Sequence, residues 1–239
     1  MTDVWEWPRA WYRVTSSVFQ LKKVALAAPH RWTGAASVYG PISQLWTAKL
    51  SLTAQDWDDQ GQAMAAFLDR LGGQAGLMRI GDVARQIPLR DRASVAASEA
   101  WSDGSHFGDG TGWVSGLLPP TVSLDAAAAK GVTYIVVAGL PASEARVLRA
   151  GDLIELRAGG IATATPNLYT LVRDAPTDAA GRTGLEIRPP LRQGFAAGDM
   201  VVLSNPTSVF RLLDDDQGEA ALTGRRLANM GFALVEAII

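Results

Sequence analysis

Two histidines, a few adjacent carboxylates and one glycine-dense stretch are the residues from which this chain could build chemistry. Their spacing serves none. His30 and His106 each sit among loop-type residues, and neither H-x-H nor H-x-x-x-H spacing occurs to converge them on a metal. Asp103 lies three residues before His106, but no serine stands in a G-x-S-x-G elbow that would complete a nucleophilic triad. Asp58-Asp59 suit the first turn of a helix. Asp214-Asp215-Asp216 suit a solvated turn, because an EF-hand loop needs alternating Asp or Asn closed by a Glu. Gly108-Asp-Gly-Thr-Gly112 lacks the G-K-[ST] of a phosphate cradle. With no cysteine, disulfides, thiolate zinc, iron–sulfur clusters and a thiol nucleophile are excluded. The residues therefore predict no catalytic, cofactor or metal site, and a structural or assembly protein in place of an enzyme.

Composition agrees. A chain of 239 residues, 48% hydrophobic and 19% charged, is built to fold, as one large β domain or two smaller ones. A net charge of −2 with only two adjacent basic pairs, Lys22-Lys23 and Arg225-Arg226, argues against binding a phosphate backbone. No secretory signal opens the chain, and no apolar run reaches the ~18 residues of a membrane span. Assembly in the cytosol, without membrane insertion, is the expectation.

The elements that must position whatever the chain does fall in two halves. All eight tryptophans lie in the first 113 residues. In this half Tyr12 to Lys23 reads as a strand, and Trp46 to Leu52 alternates with Trp46, Ala48, Leu50 and Leu52 on one face. Pro29 to Pro41, broken by Gly34 and Gly40, reads as a loop between them. A helix is predicted over 55–71, capped by Asp56, ended by Gly72-Gly73, with Trp57, Met64, Phe67, Leu68 and Leu71 on its packing face. The strand Gly76 to Gly81 follows. From Pro88 to Gly116 the chain changes character, and Ser102 to Gly112 reads as a long exposed loop.

The Trp-free half is a series of short strands over Leu117–Asn205. They are Gly131 to Val137, Leu148 to Leu156, Asn167 to Arg173, Thr183 to Arg188 and Met200 to Leu203. Ala150-Gly-Asp152 and Ala197-Gly-Asp199 repeat as turns, the pattern of a small barrel. The first resembles a strand-turn of self-splicing Hint barrels, whose nucleophile and Thr-x-x-His block are missing here. Val209 to Leu213 and Gly231 to Ile239 return to strand character. The expected fold is thus mainly β (α+β): a β-sandwich with one packed helix, from residues 1–115 with 206–239, and an inserted barrel over 116–205.

Apolar chain ends suggest burial against something, since termini are usually polar and frayed. On that ground Trp5, Trp7, Trp11, Phe232, Leu234 and Ile238 are candidate subunit-interface residues. Trp101, His106, Phe107 and Trp113 are candidates for a partner-contact loop.

The order of these features resembles the distal tail proteins of long-tailed, siphovirus-like phages, prophages and gene-transfer particles. The likeness is carried by W-x-A-x-L-x-L at Trp46 to Leu52, the helix Met64 to Gly73, and Gly76 to Asp82. It continues through the A-G-D-x-I turn at Ala150 to Ile154, Thr183 to Arg192, and Asn205 to Leu212. Where relatives carry G-D-P after the post-helix strand, this chain has Gly81-Asp82-Val83, and Ser94 to Gly116 is its own. The resemblance implies a homo-oligomeric ring, six-fold, at the virion tail tip, joining the tail tube protein to hub or baseplate proteins. If such a pore passes DNA, Asp214 to Asp216 are candidates to line it. Two other classes are a tail-associated carbohydrate-binding module stacking sugars on Trp101 or Trp113, and a cell-wall hydrolase.

Overall fold

The computed structural model describes residues 3–8, 14–29, 36–52, 55–56, 60–96, 117–159, 165–215, 221–222 and 227–238. Among the described residues the fold is mainly β, with one closed six-stranded barrel. In chain order the first elements are β1 (Val4–Glu6), β2 (Val14–Pro29), β3 (Ala36–Leu52), β4 (Gln55–Asp56), α1 (Gln62–Leu71), β5 (Leu77–Ile80) and α2 (Leu89–Ala96). The barrel strands are β6 (Thr121–Leu124), β7 (Tyr134–Ala138), β8 (Leu153–Arg157), β9 (Asn167–Leu171), β10 (Arg182–Arg188) and β11 (Met200–Val202). The chain ends in β12 (Ser208–Leu212), β13 (Ala221–Leu222), β14 (Leu227–Asn229) and β15 (Gly231–Glu236). Contacts divide it into two units: Met1–Ile80 with Val209–Ile239, and the inserted Gly81–Ser208.

The first unit rests on a six-stranded sheet ordered β1-β5-β12-β15-β3-β2, with β13-β14-β4 as a separate three-stranded sheet. Strand alternation decides which face is core. Trp46, Ala48, Leu50 and Leu52 of β3 are buried, while Lys49 and Ser51 between them are exposed. β15 repeats the pattern with Phe232, Leu234 and Glu236 inward. Glu236 tolerates that position because its Oε2 accepts the Trp46 N–H at 3.1 Å, just past the last β15–β3 pair. Helix α1 buries Met64 and Leu71. The Phe67 ring lies edge-on to Trp7 at 6.0 Å, and Trp7 edge-on to Phe232 at 5.8 Å, which ties helix, N-terminal arm and sheet together.

Two sequence expectations are corrected in this unit. The helix begins at Gln62, with Gly61 at its N-cap and no side-chain cap, because Gln55 and Asp56 pair with Ala228 and Leu227 as β4. A partner some 170 residues away outcompetes local capping at Asp56; Trp57 to Asp59 lie outside the described residues. Its end is as expected: Gly72 adopts φ 70° and donates its N–H to Leu68 O at 3.1 Å. In the segment Pro29 to Pro41, Pro29 and residues 36–41 are strand, and residues 30–35 lie outside the described residues. β2 and β3 continue pairing from Val24↔Ser43 to Pro29↔Ala36, with a register shift between Val24 and Leu26. Gly40 and Pro41 fall at that irregularity, where a residue without an N–H is tolerated.

In the second unit the barrel closes in the order β10-β7-β6-β11-β8-β9, every pairing antiparallel. Its interior is filled by Ile135, Val137, Ile154, Leu156, Leu185 and Val201, so it is a packed core and not a channel. Tyr169 is fully buried there, and its hydroxyl accepts the Arg192 N–H at 3.1 Å. The two A-G-D turns share one construction. Gly151 and Gly198 supply φ 93° and 88°. Asp152 and Asp199 then accept the N–H of Arg149 and of Ala196, three residues back, each at 2.8 Å.

The sequence reading placed residues 81–96 with the Trp-rich half and predicted no helix among them; by contact they belong with the barrel, and Leu89–Ala96 form a second helix. The signals are long-range. Asp152 of the first A-G-D turn accepts the Leu89 N–H at 2.9 Å through its other oxygen, capping α2 from outside. Asp91 in the first turn accepts the Leu118 N–H at 3.1 Å.

Candidate interaction surfaces

The buried carboxylates have the chemistry a site would use, and each is consumed by the fold. Asp82 accepts from Ala84 N–H at 2.9 Å and pairs with Arg85 at 2.7 Å. Glu155 is fully buried on β8, where Oε2 accepts from both the N–H and the hydroxyl of Thr207, at 2.8 and 2.9 Å, and Oε1 takes the Arg157 Nε–H. Burial pushes the Asp91 carboxyl above its ordinary value, against the Leu118 N–H and the Arg90 charge, with nearby Asp152 adding to the rise. A cleft of about 250 Å³ in the inserted unit is walled by Ile87, Pro88, Leu118, Pro120 and Leu203, with Asp91 its sole ionisable lining residue among those described. Among the described residues no three His, Cys, Asp or Glu side chains gather closely enough to hold a metal ion. Among the described residues no helix is long and apolar enough to cross a membrane.

The candidate interface residues separate into three groups. Trp7, Phe232 and Leu234 are 5%, 3% and 1% exposed, inside the chain's own core. Their apolarity is accounted for by the sheet and α1, without a second copy. Trp5 is half-buried, its ring beneath the Arg70 guanidinium at 3.7 Å, and Ile238 is exposed. Trp11, Trp101, His106, Phe107 and Trp113 lie outside the described residues, as do His30 and Asp103. Within the acidic turn, Asp215 accepts the Gln74 N–H at 2.8 Å and so secures the α1–β5 connection. Asp214 is exposed, and Asp216 is outside the described residues.

What the residue types did not disclose is the sheet's pair of edges. One is β1, three residues running parallel to β5 in the register Val4↔Leu77, Trp5↔Met78, Glu6↔Arg79, with a Glu6–Arg79 ion pair at 2.9 Å. The other is β2, sixteen residues long, with β3 as its strand neighbour. Val18, Gln20 and Lys22 on β2 are exposed, whereas Phe19 turns inward, edge-on to Phe210 at 5.6 Å. Pairing of β3 with β15 stops at Thr47, so the β2–β3 ribbon continues well past the supporting strand. Unaided two-stranded ribbons are marginal in water, and long edges are templates for pairing with another chain. Strand length and alternation hinted at β2; which strands end the sheet depends on pairings made far apart in sequence.

No protein-family model matches the sequence, and neither does any curated protein.

Proposed function

We propose that this chain is a structural subunit of a phage tail tip, of the distal tail type, which forms a homomeric ring joining the tail tube to the hub or baseplate. The observation that carries the reading is the six-stranded sheet with two unlike edges, short parallel β1 on one side and long β2 on the other. Unlike edges meet head to tail, and a head-to-tail contact that closes makes a ring. The ribbon beyond β3's pairing with β15 gives such a ring an element with which to grip a neighbour. The ordered motifs shared with distal tail proteins support the same reading, including the Trp46 to Leu52 strand and the A-G-D turn. So does the engagement of the buried carboxylates in backbone hydrogen bonds. In this role the chain is no enzyme, uses no cofactor, and acts at the virion tail tip after assembly in the host cytoplasm. Its partners are its own copies, the tube protein and the hub proteins, without specific nucleic-acid binding or membrane insertion.

Negative-stain imaging and mass photometry of the intact chain at micromolar concentration test this. Closed rings, six-fold on the resemblance, are expected, alone or once the tube protein is added. Monodisperse monomer under both conditions overturns the proposal.

A further inference from the structure

One aromatic side chain lies bare on the outer wall of the closed barrel. Tyr134 of β7 is 59% exposed, whereas Tyr169 of β9 is fully buried with its hydroxyl engaged. The strands give Tyr134 a seat. Its cross-strand partner on β10 is Glu186, and the diagonal neighbour is Gly184, where a Cβ would collide with the phenol oxygen and Cζ. A ring laid over a strand glycine covers the backbone there and is held against the barrel wall. Beside it, Glu186 Oε2 accepts the Arg173 Nε–H at 3.1 Å, and the Arg173 side chain is 80% exposed. Among the described residues Glu186 Oε1 and both Arg173 Nη groups have no partner. Val172, exposed on β9's side of Glu186, donates its N–H to Glu186 O at 3.0 Å and extends the apolar surface.

We propose that this face of the barrel binds a neutral hexopyranose unit of a glycan. A pyranose offers one flat face of C–H groups and a rim of hydroxyls that donate and accept. The C–H face stacks on the electron-rich ring of Tyr134. One hydroxyl donates to Glu186 Oε1 and its neighbour accepts from an Arg173 Nη–H, and such charge-assisted bonds are stronger than neutral ones. The ion pair holds carboxylate and guanidinium beside the ring before a ligand arrives, which lowers the ordering cost of binding. Their charges cancel, so the site favours neither acidic nor basic sugars. A protein partner fits less well. Its interface would need a broad apolar core, and here the apolar surface is one ring and Val172. The site belongs to the barrel alone and operates in monomer and ring alike.

Saturation-transfer difference NMR on the full chain tests this, with the methyl glycosides of glucose, galactose, mannose and N-acetylglucosamine as probes. At least one should bind, with a Kd on the order of 1 mM, and the strongest transfer should fall on the C–H protons of a single pyranose face. Tyr134→Ala should weaken binding about tenfold or more, while Tyr134→Phe, which keeps the ring, should stay within about threefold. Glu186→Gln should weaken it by about tenfold through the lost charge-assisted bond. Thermal melts of these surface variants should stay within about 3 °C of the natural chain. Should Tyr134→Ala melt early, Glu186→Gln and Arg173→Met carry the test in its place. Absence of transfer to every probe overturns the site, as does binding that survives these substitutions, and both results leave the ring proposal standing. Loss of association between copies or with the tube protein on Tyr134→Ala, without any glycoside binding to the natural chain, would make this face a protein contact and overturn the glycan site.

Discussion

Replacing Glu155 by alanine should be among the most damaging single changes in the inserted unit. The side chain is fully buried, and three donors converge on it: the N–H and hydroxyl of Thr207, and the Nε–H of Arg157, itself only 8% exposed. Removing the carboxylate takes away a buried charge that the Arg157 guanidinium and the Thr207 N–H and hydroxyl share. Breaking a buried pair on one side costs about 3–5 kcal/mol. Glu155→Gln keeps an oxygen for Thr207 but removes the charge opposite Arg157, and should lose less, about 2–3 kcal/mol. Removing both charges is different in kind. Glu155→Leu with Arg157→Met takes away both charges together and should recover to within about 1 kcal/mol of the natural chain. Urea unfolding followed by far-UV circular dichroism reads these differences, with a melting shift on the order of 10 °C for the alanine variant. A loss below about 1 kcal/mol for Glu155→Ala, or a double variant as unstable as the alanine one, would refute the assignment of this network.

Further outcomes follow from particular contacts. Gly76→Ala should destabilise by several kcal/mol, roughly 3 or more, since a Cβ there would stand 1.9 Å from Leu71 O. Gly151→Ala meets open space and should lose only about 1–2 kcal/mol for its positive φ; equal losses in thermal melts would contradict the packing at Gly76. Asp91→Asn should raise the urea midpoint at neutral pH, because burial holds this carboxyl's folded pKa above the unfolded 3.8 and ionisation therefore costs stability above that window. The gain should vanish below pH 3.8, where the carboxyl is protonated in both states; a gain independent of pH would rule out titration as its source. Asp174 and Asp178, held low chiefly by the backbone N–H groups of Ala150 and Arg182, work in the opposite sense and lose their contribution as pH falls below 3.8. Trp7→Ala should cost about 3–5 kcal/mol, and loss of residues 1–11 should lower the melting temperature of the monomer itself, not only its assembly; an unchanged melt would mean that the arm does not pack on Phe67 and Phe232.

Much of the fold was legible because period-2 burial is written locally. Trp46, Ala48, Leu50 and Leu52 announced the inner face of β3, and the A-G-D repeats announced barrel turns. What escaped was decided by distant partners. Asp56 has the composition of a helix cap, yet β14 takes it into a strand. Leu89 begins a helix because a carboxylate on the turn before β8 receives its N–H. Gly40 and Pro41 look like loop residues and serve at a register shift inside a hairpin. In each case the local preference is worth about 1 kcal/mol, small enough for one tertiary pairing to overrule.

The candidate interface was legible for a different reason, and only in part. Apolar residues at Trp7, Phe232 and Leu234 pointed to burial, but hydrophobicity does not name the surface that provides it, and here the chain's own sheet and helix do. Capacity for assembly lies in the backbone. A strand edge presents backbone N–H and C=O groups whatever its side chains are, and a charged residue such as Lys22 on β2 blunts indiscriminate pairing without removing those groups. Edges are a property of topology, and topology here depends on β12 and β15 returning after an insertion of more than a hundred residues to separate β5 from β3.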